Sequence, residues 1–353
     1  MVPRLAPSTA ARSLPPVEGV LETIGKTPLV RLRRYLRHRP DIELWAKLEA
    51  FNPGGSAKDR PAAWMLDDAL AEGLIDSAST VIESSSGNMG VGLAQACRYH
   101  GLRFICVVDA RAHETNIRMM RALGADVRVV TRADAHTGDL LAARLRLVAE
   151  LLASTPNAFW PDQYANASNP AAHAAGTMRE IDEALDGRLD HLFVATSTTG
   201  TLRGCWEYLR DHGRDTCVVA VDAHGSVLFG GERGRRMLPG FGAGVQSVLA
   251  DGASFHRLER VSDLECVVGC RRLVDREAIL AGASSGGVIM ALERLVPLLA
   301  QASRCAVILA DGGAGYLTTV YDDPWVQREL RCEPDELASI VGRGAAAPAS
   351  PAS

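Results

Sequence analysis

Two hydrophobic patterns alternate along this chain. Short apolar runs rich in valine and isoleucine fall at 43–49, 80–83, 104–108, 126–130, 191–196, 217–222 and 305–310. Continuous runs of this length are expected of strands covered on both faces, as in a parallel sheet. Between them, apolar residues recur at helical spacing over 60–72, 87–100, 114–123, 137–153, 171–185, 201–212, 264–276 and 286–299. Repeated βα units of this kind predict a doubly wound α/β fold. A cluster of Pro, Asn and Asp at 157–169, after a long helix, marks a change of domain.

In such folds ligands sit at the carboxyl ends of strands, in the loops that open the next helices. Four of these loops are unusual. Asn52-Pro53-Gly54-Gly55-Ser56-Ala57-Lys58-Asp59-Arg60 sets a lysine between a Gly-rich turn and a helix start. The helix dipole there opposes an ammonium and favours the neutral amine, the form that attacks an aldehyde to make an imine. Of 38 Lys plus Arg, only Lys26, Lys47 and Lys58 are lysines. A sequence that writes arginine almost everywhere keeps a lysine at 58, and arginine cannot form an imine.

The second loop, Glu83-Ser84-Ser85-Ser86-Gly87-Asn88-Met89-Gly90, offers N–H groups and hydroxyls at a helix N-terminus. It has neither a P-loop lysine nor the dinucleotide glycine spacing. The third, Thr196-Ser197-Thr198-Thr199-Gly200-Thr201, is uncharged and rich in hydroxyls, which suits a phosphate. The fourth, Ala281-Gly282-Ala283-Ser284-Ser285-Gly286-Gly287, presents serines that can meet a ring nitrogen without adding charge. An imine-forming amine, a phosphate cup and a partner for a pyridine nitrogen are the parts that pyridoxal 5'-phosphate needs. A serine in the last role leaves the ring less electron-withdrawing than an aspartate would, which favours β-elimination and replacement over transamination.

Composition narrows the setting. With 353 residues and 47% hydrophobic content, the chain is long enough for two medium domains. A formal charge of −4 argues against nucleic acid or an anionic membrane as the main partner. No apolar run is long enough to span a bilayer, and the Pro- and Ala-rich N-terminus lacks the apolar stretch of a signal peptide. Eight cysteines without a Cys-x-x-Cys pair read as reduced thiols in a cytoplasmic protein, and neither they nor the nine histidines show metal-ligand spacing.

The chain is similar to the fold-type II pyridoxal-phosphate enzymes of the cysteine synthase and cystathionine β-synthase family. The resemblance runs from about residue 23 to 323. Its motifs are Gly25-Lys26-Thr27-Pro28-Leu29, the lysine loop, Ser85-Ser86-Gly87-Asn88, Gln163-Tyr164-Ala165-Asn166, the Thr-rich loop and Gly282-Ala283-Ser284-Ser285-Gly286. It implies two doubly wound α/β domains with the cofactor between them, as in tryptophan synthase β. The expected divisions are a disordered leader at 1–18, a segment at 19–49 that packs on the C-terminal domain, a smaller domain at 50–160 carrying the carboxylate loop, a C-terminal domain at 161–333, and a disordered tail at 342–353. A homodimer is implied too.

Carried over by position, the resemblance makes Lys58 the imine-forming lysine and catalytic base. It gives Asn88 the cofactor's ring hydroxyl, Ser197, Thr198, Thr199, Gly200 and Thr201 its phosphate, and Ser284 its pyridine nitrogen. Ser85, Ser86, Gly87, Met89, Gln163 and Tyr164 are placed at the amino-acid substrate. Four residues depart from the common cysteine synthases: Ser197 and Thr199 stand for glycines, Met89 for threonine, and Tyr164 for phenylalanine. These departures resemble the branch that joins O-phospho-L-serine to the amine of L-glutamate through an aminoacrylate, supplying 2,3-diaminopropionate to siderophores or peptide antibiotics. Arg60, Arg111, Arg203 and the run Arg233, Arg235, Arg236 are the cations on hand for such anions. A cysteine synthase is the alternative on the same fold, and a non-catalytic pyridoxal-phosphate sensor the alternative of another class.

Overall fold

The computed structural model describes residues 16–135 and 138–343. Most of the expected leader, the tail from 344, and the first residue of the expected 137–153 helix lie outside the described residues. The chain opens with β1 (Leu29–Arg31) and β2 (Glu43–Leu48), which pair antiparallel. It next lays down β3 (Thr80–Ser84), β4 (Arg103–Asp109), β5 (Asp126–Val130) and β6 (Ala158–Phe159), a parallel sheet in the order β5-β4-β3-β6. It then returns with β7 (His191–Ala195), β8 (Cys217–Ala223), β9 (Arg257–Val261) and β10 (Arg304–Leu309). These join the opening strands in a six-stranded sheet, β1-β2-β10-β7-β8-β9, in which only the β1–β2 pairing is antiparallel.

Parallel neighbours require crossovers, and helices supply them. Around the smaller sheet lie α1 (Asp59–Ala71), α2 (Asn88–His100), α3 (Glu114–Ala122) and α4 (Leu140–Ser154). Around the larger lie α5 (Ser168–Ala172), α6 (Arg179–Ala184), α7 (Gly200–Asp211), α8 (Asp263–Glu277) and α9 (Ala283–Leu295). Two helices, α10 (Asp323–Leu330) and α11 (Pro334–Gly342), close the described chain. One face of the large sheet packs Val219, Val221 and Val307 against Cys266, Cys270 and Ile289 of α8 and α9. The other packs Leu192, Val194 and Ile308 against Met178 and Leu202. Full burial of such side chains contributes on the order of 1.5–3 kcal/mol each.

The structure differs from the hydrophobic pattern where pairing, not periodicity, makes the element. β1 and β6 are three and two residues long, too short to show a period. β9 reads Arg-Leu-Glu-Arg-Val, charged at three of its five positions, as suits an edge of its sheet. The expected 171–185 helix is interrupted between α5 and α6 by a π-helical turn, His173–Met178. Such turns often mark functional sites.

Two glycines set the start of α9. A Cβ on Gly269 of α8 would fall 2.1 Å from the Gly286 carbonyl, and one on Gly286 would fall 2.0 Å from the Cys266 carbonyl. The two helices therefore meet backbone to backbone, which holds the buried residues Ala283, Ser284 and Ser285 against the end of the large sheet.

Beneath the lysine loop lies a buried cluster of four charges. Arg60 donates to Glu49 (2.6 and 2.9 Å) and to Glu180 (2.7 and 2.8 Å). Lys47 donates to Glu180 (2.6 Å) and to the Thr27 carbonyl (2.5 Å). Burial alone would push the Glu180 carboxyl up, but its bonds to Arg60 and Lys47 outweigh that and hold it at about 2. The native pKa is therefore depressed, so this stabilisation is complete above the ordinary carboxylate range and is lost as pH falls toward 2. Replacing one partner strands the others: Arg60→Leu should cost about 3–5 kcal/mol in urea unfolding at neutral pH. Glu180→Gln should flatten the fall in stability between about pH 4.5 and 2, and an unchanged acid limb would count against this assignment.

Candidate active site

Lys58, Ser197, Thr198, Thr199, Thr201 and Ser284 line one cavity at the carboxyl ends of β7 and β10. The strand order brings them together: β10 lies between β2 and β7, so the loops after all three converge. Lys58 sits immediately before α1, with backbone already helical (φ −74°, ψ −17°). Burial is the main influence on its amine and lowers the pKa, with Asp311 and Glu49 pulling the other way. The sequence assigns this lowering to the helix dipole; in the structure desolvation leads. Asp59, buried beside it, accepts from Gly54 N–H (2.5 Å) and folds the Gly-rich turn back on the helix start.

The Thr-rich loop is braced from several sides. Thr199 adopts the left-handed region (φ 67°) and its hydroxyl donates to the Thr198 carbonyl (2.6 Å). Ser247 donates to that same carbonyl (2.7 Å), and the Thr198 hydroxyl accepts from Gly200 N–H (3.4 Å), the first residue of α7. The Thr201 hydroxyl pairs with His173 Nε2 (3.1 Å), whose Nδ1 pairs with Thr177 (3.0 Å). Burial, reinforced by the charges of Lys58 and Arg60, pushes the His173 pKa well down, so the ring is neutral. The π turn supplies this bracing histidine.

Asn88 donates to Asp311 Oδ2 (2.8 Å), which also accepts from Tyr316 (2.8 Å). A carboxylate partner fixes which end of the Asn88 amide is the NH2. Asp311 follows β10 while Asn88 opens α2, so this bond joins the two sheets. The other oxygen, Asp311 Oδ1, is buried with no hydrogen-bond partner among the described residues.

The expected substrate residues form a second group beside the cavity. Ser85 Oγ accepts from Gly90 N–H (3.0 Å), and Ser86 Oγ accepts from Arg144 (2.6 Å). Gly87 caps α2 in an extended conformation. Gln163 donates to the Ser84 carbonyl (3.4 Å). The Tyr164 phenol meets the Ser197 hydroxyl, and burial raises its pKa while Arg144 lowers it. Two departures from the common cysteine synthases thus touch one another. Met89, placed at the substrate by the resemblance, has its side chain 2% exposed and packed with Cys106 and Met120 in the core of the smaller sheet.

The arginines divide differently from the expectation. Arg60 belongs to the buried cluster, Arg203 pairs with Glu207, and Arg111 lies exposed against Asp109. Arg233 and Arg235 pair with Asp139 and Glu329, while Arg236 donates to the Phe241 carbonyl. The cation at the substrate group is Arg144 of α4, mostly buried, with Asp109 at 3.4 Å as its acidic neighbour. It sits in the apolar string Leu-Leu-Ala-Ala-Arg-Leu-Arg, where a buried charge leaves no motif, only the oddity of an arginine on an apolar helix. Glu83, Asp311 and His173 also escaped the sequence reading, since their partners Trp160, Asn88 and Thr201 come from distant parts of the chain.

Comparison with known proteins agrees with this geometry. The profile of the family described as "Pyridoxal-phosphate dependent enzyme" matches residues 20–311. The chain is 42% identical over 334 residues to N-(2-amino-2-carboxyethyl)-L-glutamate synthase of Ralstonia nicotianae, covering 95% of this chain and 96% of that protein. Among solved structures, O-acetylserine dependent cystathionine β-synthase of Helicobacter pylori matches with TM-score 0.80 and 29% identity, over 87% of this chain and 99% of its own. O-ureido-L-serine synthase matches with TM-score 0.80 and 30% identity, over 87% and 96% of the two chains. The chain belongs to the pyridoxal-phosphate-dependent enzymes, with the fold-type II architecture expected from its sequence.

The donor set in the cavity fits that cofactor. It offers a desolvated amine, a cup of threonine hydroxyls at the start of α7, and a neutral serine at the start of α9. Gly282 is critical to this arrangement, because a Cβ there would lie 1.9 Å from Asp311 Oδ1. Gly282→Ala should therefore destabilise the protein by about 1–3 kcal/mol and weaken cofactor retention. Thermal unfolding and visible absorbance after dialysis measure the two effects, and a variant with wild-type values in both would refute the packing argument.

Proposed function

We propose that this pyridoxal-phosphate-dependent enzyme joins O-phospho-L-serine to L-glutamate, giving N-(2-amino-2-carboxyethyl)-L-glutamate and phosphate. One observation carries the reading. The Arg144 guanidinium reaches Ser86 of the carboxylate loop, beside a Tyr164 that meets Ser197. A mostly buried cation at the rim suits a phosphorylated amino acid, and bare sulfide has no use for it. The 42% identical relative bears the name of this activity.

Lys58, Asn88, the loop 197–201 and Ser284 are the residues that would hold the cofactor. When bound, it supplies an electron sink for charge developing at the amino acid's α-carbon. Ser85, Ser86, Gly87 and Gln163 bind the substrate carboxylate and set its orientation. The desolvated amine of Lys58 takes the α-proton, as a general base whose pKa is lowered by burial. The Cβ–O bond to phosphate breaks, and the leaving phosphate is met by Arg144. The Cβ–N bond then forms with the glutamate amine, which gives up a proton, and the α-carbon is reprotonated. Ser284, being neutral, leaves the ring nitrogen without full positive charge and so restrains competing chemistry.

The product serves 2,3-diaminopropionate supply for a siderophore or antibiotic. A cytoplasmic homodimer belongs to the same reading, supported by eight free thiols and by exposed apolar side chains such as Phe51, Leu298 and Leu317. No helix among the described residues is long and apolar enough to cross a membrane.

Two measurements test the proposal. Incubated with O-phospho-L-serine, L-glutamate and sulfide in competition, the holoenzyme should release mainly the glutamate adduct by mass spectrometry. Cysteine alone would return it to the cysteine synthases, and no product would favour a sensor. The blank is Lys58→Ala, which should also lose the cofactor's visible imine band. Separately, Arg144→Ala should raise KM for O-phospho-L-serine roughly tenfold to a hundredfold, the cost of a lost charge-assisted contact. O-acetyl-L-serine should be little affected, and equal losses for both donors would exclude a phosphate-specific role.

A further inference from the structure

Glu83 is a buried acid that the proposed chemistry does not use. It lies in β3, 2% exposed, one residue before the carboxylate loop. Three N–H groups converge on it: Oε1 accepts from Ser84 N–H (2.8 Å) and Trp160 Nε1 (3.2 Å), and Oε2 accepts from Gln163 N–H (3.3 Å). Among the described residues no lysine or arginine pairs with it. Burying a carboxylate without a cation is costly unless several hydrogen bonds compensate, and only an ionised carboxylate accepts freely at both oxygens. The three donors belong to two separate stretches, the loop 84–87 and the segment 160–163 that follows β6.

We propose that Glu83 is a positioning residue that fastens these two stretches into one rigid receptor for the substrate carboxylate. The inference rests on the reading of Ser85, Ser86, Gly87 and Gln163 as that receptor. Glu83 holds the backbone of both, leaving Ser85, Ser86 and the Gln163 amide aligned before substrate arrives. Trp160 serves the receptor by donating to the same carboxylate from its half-exposed position. Burial, followed by the charge of Asp162, pushes the Glu83 carboxyl up to about 7, against the pull of its three N–H donors. Tyr164 and Cys106 also lie near it, and each of them is in turn within reach of Arg144. Protonation removes an acceptor, so the receptor loosens as pH falls through about 7.

The sign for stability is opposite. A carboxyl raised from 4.5 to about 7 in the native state favours the fold at low pH and is penalised as pH rises through that window. Glu83→Gln keeps one acceptor oxygen but turns an NH2 toward a donor, so the variant should lose binding while escaping the penalty of a buried charge.

The test is titration of the holoenzyme with L-alanine, which binds but has no β leaving group, followed by the cofactor's visible absorption. At pH 8, Glu83→Gln should bind L-alanine roughly tenfold more weakly, the effect of one misplaced buried hydrogen bond. The gap to wild type should narrow as pH drops below 7, and the variant's Tm relative to wild type should rise between pH 5 and 8. Trp160→Phe, a milder change, should weaken binding less, and its effect should be less than additive with that of Glu83→Gln. Wild-type affinity for L-alanine in Glu83→Gln, whatever its Tm, overturns the proposal, as do strictly additive effects in the double variant. Gln163→Ala separates the inference from its premise. If that variant also binds L-alanine normally, the receptor itself is misplaced; if only it is impaired, Glu83 alone is misread.

Discussion

The site depends on the buried pairing of Arg60 with Glu49 and Glu180. Two cations and two anions lie out of water there, and each carboxylate reaches a different part of the chain. Glu49 follows β2 and accepts from Thr27 and Asn52 (2.7 and 3.0 Å). Asn52 in turn holds the Gly25 N–H (2.8 Å) and the Ser56 carbonyl (3.0 Å), so the Gly-Lys-Thr-Pro-Leu motif and the lysine loop share one partner. Glu180 lies in α6, directly after the π turn that carries His173. The cluster thus ties the lysine loop, the opening motif and the brace of the phosphate cup to a single guanidinium. Such networks cost desolvation and are weak evidence of net stability. What they fix is position, and Lys58 lies two residues from Arg60.

With four charges sequestered below, the cavity wall is left nearly neutral. Hydroxyls and the starts of α7 and α9 line it, with Lys58 the charged residue among them. N–H groups and threonine hydroxyls of this kind would hold a dianionic phosphate and let it keep its charge. Burial outweighs the pull of Asp311 and Glu49 on Lys58, which keeps its amine closer to the neutral form. The substrate side follows the opposite rule, with Arg144 brought to Ser86 at the end of an otherwise apolar helix face.

Much of this was legible in the sequence because its motifs are local. Lys58, the Thr-rich loop and Ser284 lie in short glycine-containing loops that open helices, where composition reports conformation and chemistry together. The residues that escaped are paired across the fold. Asp311 reaches Asn88 from the other sheet, Glu83 meets Trp160 and Gln163 through the β3–β6 neighbourhood, and His173 meets Thr201 across packed helices. No window of sequence contains both partners of any such bond. Met89 was hidden for the converse reason. Its motif groups it with the expected substrate residues, but helix geometry turns its side chain inward. The π turn was equally hidden, since its residues fit an ordinary helical period.

The contact between Tyr164 and Ser197 links selectivity to packing. A buried phenol needs a hydrogen-bond partner, and a glycine at 197 would offer no hydroxyl. The two departures are therefore expected to travel together, each having little use without the other. Tyr164 also anchors through its carbonyl, which accepts from Ser247 (3.1 Å), the same hydroxyl that donates to Thr198 (2.7 Å). Under the proposed function, the choice of second substrate would be built into the bracing of the Thr-rich loop. A change of nucleophile in this fold involves the loop that holds the cofactor as well as the mouth of the cavity.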